Sequence, residues 1–128
     1  MATYINSADD FLQLRKSRGM FMVGGDSYAV LAGYIRGALA ANDQLMSGWD
    51  LFVPFKLGAS FSVAVEYEIV RPMGEDLMRI LVAGGGTSDQ NEEAINRLLD
   101  LIEAYVDAEK SGVLEQVLKD ASASRSAI

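Results

Sequence analysis

From residue 28 onward, Tyr28, Leu31, Ala32, Ile35, Ala38 and Leu39 recur at steps of three and four, the period of a helix with one buried face. The spacing predicts a helix starting at Asp26 or Ser27. Before it, Ser7 reads as the N-cap of a short helix with Asp9 and Asp10 in its first turn, fading around Lys16 to Arg18. Met20 to Val23 reads as a short buried strand, and Gly24-Gly25 as the turn that follows it. Residues 42–56 carry Gly48 and Pro54, which argue against a long regular element. Within them Trp49, Phe52 and Phe55 are spaced like one face of a short helix covering an edge of the core.

Between 61 and 70 the period changes to two. Phe61, Val63, Val65, Tyr67 and Ile69 alternate with Ser62, Ala64, Glu66, Glu68 and Val70. The pattern predicts a strand, a turn over 71–75, and a second strand over 77–83. If Val70 faces Leu77, then Ile69 faces Met78, Tyr67 faces Ile80 and Val65 faces Val82. On the opposite face Glu68 meets Arg79, which leaves Glu66 without a cation. Gly84-Gly85-Gly86 ends this hairpin, and Asp89 with Glu92 has capping-box spacing. Ile95, Leu98, Leu99, Ile102, Tyr105 and Val106 form a strong helical stripe. Ser111-Gly112 interrupts it, Val113 to Leu118 adds a further short helix, and 121–128 reads as a disordered tail. The predicted architecture is a single α+β domain over 1–120. Its small antiparallel sheet, the hairpin at 61–83 plus the strand at 20–23, is covered on one face by helices.

Ala29, Gly33, Gly37 and Ala41 make a row of small residues on the second helix. A glycine inside a helix costs about 1 kcal/mol relative to Ala, so a compensating close approach is expected. Packing within the chain is the preferred partner for this row, and a contact between copies is the alternative. The oligomeric state stays open between monomer and homodimer.

Composition narrows the chemistry. The chain has no Cys and no His, which excludes disulfides, thiol nucleophiles, Cys/His zinc sites and imidazole acid–base catalysis. Eighteen acids against eleven bases give a formal charge of −7, which disfavours nucleic acid and anionic membrane as partners. The opening residues MATYINSADD have no basic start or apolar core of a signal peptide, and no apolar run has membrane-spanning length. A cytoplasmic protein is expected.

Neither glycine turn matches a nucleotide fingerprint. No Lys follows closely, and Asp26 and Asp89 put negative charge where a phosphate would sit, so tight turns are the better reading and no cofactor is expected. Glu66 and Glu68, two apart on a strand, share a face, and such pairs support glycosidase chemistry in other proteins. The Arg79 partner of Glu68 argues against it here, and the chain is read as a non-enzyme. The candidate partner-binding residues are Trp49, as an aromatic anchor, with Asp50, Glu66, Glu68 and Glu75 as an acidic surface.

The run Arg18-Gly19-Met20-Phe21-Met22-Val23-Gly24 resembles the motif R-P-G-M-Y-x-G, with Arg18 where the motif has Pro. Ser27, Leu31, Tyr34-Ile35 and Gly37 resemble the S-x-x-x-L-x-x-[FY]-[LI]-x-G that follows it, and Phe52 and Phe55 resemble a central aromatic pair. These features are similar to those of a loosely defined group of small bacterial proteins that includes toxin immunity proteins, which also end in an acidic helix like Glu92 to Tyr105. The resemblance implies an immunity protein that binds and neutralises a cognate bacterial toxin. The alternative is an acidic secretion chaperone, commonly a dimeric α/β protein, that holds an effector segment. A carboxylate-dependent enzyme is the third reading.

Overall fold

In a computed structural model, which describes residues 8–13, 27–42 and 44–126, all regular secondary structure among the described residues is helical. The helices are α1 (Ala8–Phe11), α2 (Tyr28–Ala41), α3 (Trp49–Leu57), α4 (Val65–Val70), α5 (Glu75–Val82), α6 (Ser88–Lys110) and α7 (Leu114–Ser126). A 3₁₀ turn, Arg71–Met73, joins α4 to α5. The α1 helix ends at Phe11, and the expected strand at 20–23, its Gly24-Gly25 turn and the Gly19-Met20-Phe21 motif lie outside the described residues.

The axis of the fold is α6. Its 23 residues span roughly 34 Å at 1.5 Å per residue. Ala94, Ile95, Leu98, Leu99, Ile102, Tyr105 and Val106 are buried along one stripe, as their spacing predicts. Each fully buried Leu or Ile contributes roughly 1.5–3 kcal/mol relative to leaving it in water. Helices α1, α2, α4, α5 and α7 all pack on α6. Its N-terminus is closed by a capping box two residues upstream of the expected Asp89–Glu92 pair. Thr87 Oγ1 accepts from the Gln90 amide at 3.1 Å, and Gln90 Oε1 accepts from the Thr87 amide at 2.9 Å.

The α+β expectation fails at 61–83. No strand occurs among the described residues, and the expected hairpin is α4, the 3₁₀ turn and α5. Read at the helical period, Val65, Ile69 and Val70 form one buried face, as do Met78 and Leu81. Tyr67 and Ile80, which the hairpin put on its apolar face, are 36% and 48% exposed. A six-residue segment such as Val65–Val70 fits either period, and the large apolar side of α6 selects the helix. Pro72 is the second residue of the 3₁₀ turn, among the first amides that have no partner within the turn, so its missing N–H costs little, and α5 begins after Gly74.

Two glycines permit close approach. Gly48 opens α3 with φ +78°, and a Cβ there would lie 2.8 Å from Leu118 Cδ2 of α7. Gly86, φ +101°, sits between Leu81 and Asn91, with a Cβ position 2.9 Å from Leu81 Cδ2. The Gly33 and Gly37 expectation is corrected: both are exposed, and a Cβ on either meets nothing within 4 Å among the described residues. Residues 121–126, expected in a disordered tail, continue α7, with Ala121 buried. No described helix is long and apolar enough to cross a membrane.

Candidate functional site

The α2 helix carries a single charged residue, Arg36, in fourteen. Ala29, Gly33, Arg36 and Ala40 recur at steps of four, three and four, so they share one face of the helix. From that face the Arg36 guanidinium reaches two other elements. Its Nη1 and Nη2 donate to Asp50 Oδ2 and Oδ1 on α3 at 3.0 and 2.9 Å. Its Nε and Nη2 donate to Glu66 Oε1 on α4 at 3.0 and 2.6 Å. The hydrogen bond to Asp50 is the largest cause holding the Arg36 pKa above its ordinary value. Partial burial opposes it, and Glu66 adds to it. Two carboxylates on one guanidinium leave the cluster one charge negative. Among the described residues Glu66 Oε2 accepts no hydrogen bond, and the Asp50 side chain is 65% exposed.

Tyr28 fixes the position of Glu66 from beneath. It is fully buried, and its hydroxyl donates to the Glu66 backbone carbonyl at 2.7 Å. Burial first, and the Glu66 charge second, raise the pKa of this phenol. Tyr28 is itself held by Asn91, whose Oδ1 accepts from the Tyr28 amide at 2.8 Å. The Asn91 Nδ2 donates to the carbonyls of Gly85 and Thr87 at 3.1 and 3.0 Å. One buried amide thus joins the start of α2, the glycine turn and the start of α6.

The expected acidic surface is divided. Two positions apart on a helix are about 200° apart around its axis, so Glu66 and Glu68 do not share a face. Glu68 is buried and accepts from Arg71 Nε at 3.0 Å, and it does not pair with Arg79. Arg71 also bonds Glu75 through Nη1, so Glu68 and Glu75 form a second acid–Arg–acid cluster at the joint of α4 and α5. The hydrogen bond to Glu68 is the largest cause raising the pKa of Arg71. Arg79 lies beside Glu75 and Asp76, both at 3.7 Å. Trp49 is 4% exposed, stacks near Phe52 and meets the edge of Tyr105. It is a core plug. Of the five candidates, the structure brings Asp50 and Glu66 together on one surface and Glu68 and Glu75 together at another place.

Shallow depressions flank Arg36. One of about 230 Å³ is lined by Ala29, Ala32, Gly33, Tyr67 and Val82, with Glu66 at its edge. Another of about 320 Å³ is lined by Leu39, Ala40, Met46, Trp49 and Leu51, with Asp50 at its edge. Pockets for drug-sized ligands run from about 300 to 1,000 Å³, so the first depression falls below that range and the second lies at its lower end. Among the described residues no group of three or more acids could hold a metal ion. Arg36 was visible in the sequence only as a break in an apolar run. The signal that marks it is a lone charge on a helix otherwise without any. The chain matches no protein-family model, no curated protein and no solved structure.

Proposed function

We propose that the protein is an immunity protein that binds a cognate bacterial toxin and neutralises it. The observation that carries this reading is the meeting of the exposed Asp50 and the part-buried Glu66 around Arg36 in a protein with a formal charge of −7. An acidic surface of this kind complements the basic cleft of an enzyme that acts on nucleic acid or nucleotides, and it speeds encounter by steering. The sequence resemblance to immunity proteins supplies the class of partner. The secretion-chaperone alternative leaned on an α/β fold and loses that support in an all-helical chain.

The test is to purify this protein with the product of a neighbouring gene that encodes a toxin-like domain. A stable complex and rescue of cells expressing the toxin are expected. Asp50→Lys should slow association, with a smaller loss at high salt. Failure to form a complex and failure to protect cells together overturn the proposal.

A further inference from the structure

The two depressions and the cluster between them lie along one helix face. Gly33 faces the first depression and Ala40 the second, with Arg36 between them. Seven residues of helix separate Gly33 from Ala40, about 10 Å along the axis. The floor is low there, because a Cβ on Gly33 or Gly37 would meet no described atom within 4 Å. Apolar, acidic and apolar features therefore follow one another in a line. The acid–Arg–acid centre carries one net negative charge, with the Asp50 carboxylate 65% exposed at its outer edge.

Resting on the reading of this chain as a binder of another protein, we infer that this face docks a cationic amphipathic helix of the partner. Apolar side chains seven residues apart on that helix fill the two depressions. A Lys or Arg between them lies on the carboxylates of Asp50 and Glu66. Charge complementarity selects a cationic occupant, since an acidic or neutral one leaves the excess charge unmatched. The absence of side chains at Gly33 and Gly37 lets the two backbones approach closely, which offsets the helix-propensity cost of two glycines.

The probe is a fluorescein-labelled helical peptide with Leu, Lys and Leu at positions i, i+3 and i+7. Its control carries Glu in place of Lys. Micromolar binding of the Lys peptide is expected by anisotropy, with shifts in the amide resonances of Gly33, Arg36 and Ala40. The Glu peptide should bind roughly tenfold or more weakly, and Gly33→Leu should weaken the Lys peptide by a similar factor. Ala40→Glu, at an exposed position, is a second blocking variant should Gly33→Leu fail to fold.

No binding at millimolar peptide, equal binding of both peptides, or unchanged binding by the folded blocking variants overturns the inference. A concentration-dependent dimer of the wild type that Ala40→Glu abolishes assigns the face to a second copy instead. A photo-cross-link from position 33 to residues 14–26 of the same chain assigns it to that segment. If a cognate toxin binds Gly33→Leu as tightly as wild type, the immunity reading stands and this surface is not the site. If the peptide binds as expected and no toxin does, the surface stands and the immunity reading falls.

Discussion

Arg36 and Glu66 lie thirty positions apart, yet two nitrogens of the guanidinium converge on one oxygen of the carboxylate. With Asp50 on the other edge, Arg36 ties α2 to α3 and α4 at the surface. The Arg36 and Asp50 side chains are 42% and 65% exposed and Glu66 21%, so solvent screens the Asp50 pair more than the Glu66 pair. Arg36→Met should cost only about 1 kcal/mol, read as a lower urea midpoint with an unchanged slope. A loss several times larger would mean that the cluster holds the helices together, not merely the surface charges.

The open space at Gly33 and Gly37 gives a prediction with the opposite sign to the one that close packing implies. Gly33→Ala and Gly37→Ala should each raise stability by up to about 1 kcal/mol through helix propensity alone. Thermal melts of the single and double variants check this. A fall in melting temperature would show that an atom outside the described residues touches this face.

Asn91 has the contrary role. Truncation to Ala strands the Tyr28 amide and the carbonyls of Gly85 and Thr87 in a buried site. Asn91→Ala should cost about 1–3 kcal/mol by denaturant unfolding. Gly86→Ala forces a Cβ towards Leu81 and Asn91 at a positive φ, so it should perturb the same junction. The double variant should lose less than the sum of the two single losses, because they damage one network.

Tyr105 should make the fold alkali-sensitive. Its hydroxyl donates to the Ser47 carbonyl at 2.8 Å, and burial first, then Glu109, pushes its pKa from 10.0 up to about 12. The folded state favours the neutral phenol. Its contribution is therefore complete below pH 10 and is lost as pH rises through the folded value near 12. Tyr28 acts in the same direction. Unfolding free energy should fall steadily above pH 10 in the wild type and more gently in Tyr105→Phe. Equal slopes would show that Tyr105 ionises alike in the folded and unfolded chains.

Long periodic segments were legible. The α6 stripe from Ile95 to Val106 and the α2 positions Tyr28, Leu31, Ala32 and Ile35 are buried where their spacing puts them. Trp49 and Phe52 share a buried helix face as read, but burial removes Trp49 as a surface anchor. The segment 65–82 was misread because α4 has six residues and α5 eight, too few turns to reveal a 3.6-residue period. The β-branched Val63, Val65, Ile69 and Val70 also favour a strand locally, a preference that tertiary burial overrides. Of the site, Asp50 and Glu66 were legible as acids, but their meeting was not. It depends on Arg36, from a helix whose position follows from packing on α6 and α5.

The reliance of five helices on α6 bears on how the chain matures during synthesis. A nascent chain that has released only residues up to the glycine turn can pack α4 on α3 and α5, and α2 on α5, but leaves exposed the apolar faces that these helices bury on α6. Translation proceeds at roughly 5–20 residues per second, so synthesis of the 23 residues of α6 alone adds roughly one to five seconds before these faces can be covered. During that interval the chain is a natural client for nascent-chain chaperones. Synonymous codon changes that delay translation of 88–110 would lower the yield of folded protein without altering a single residue.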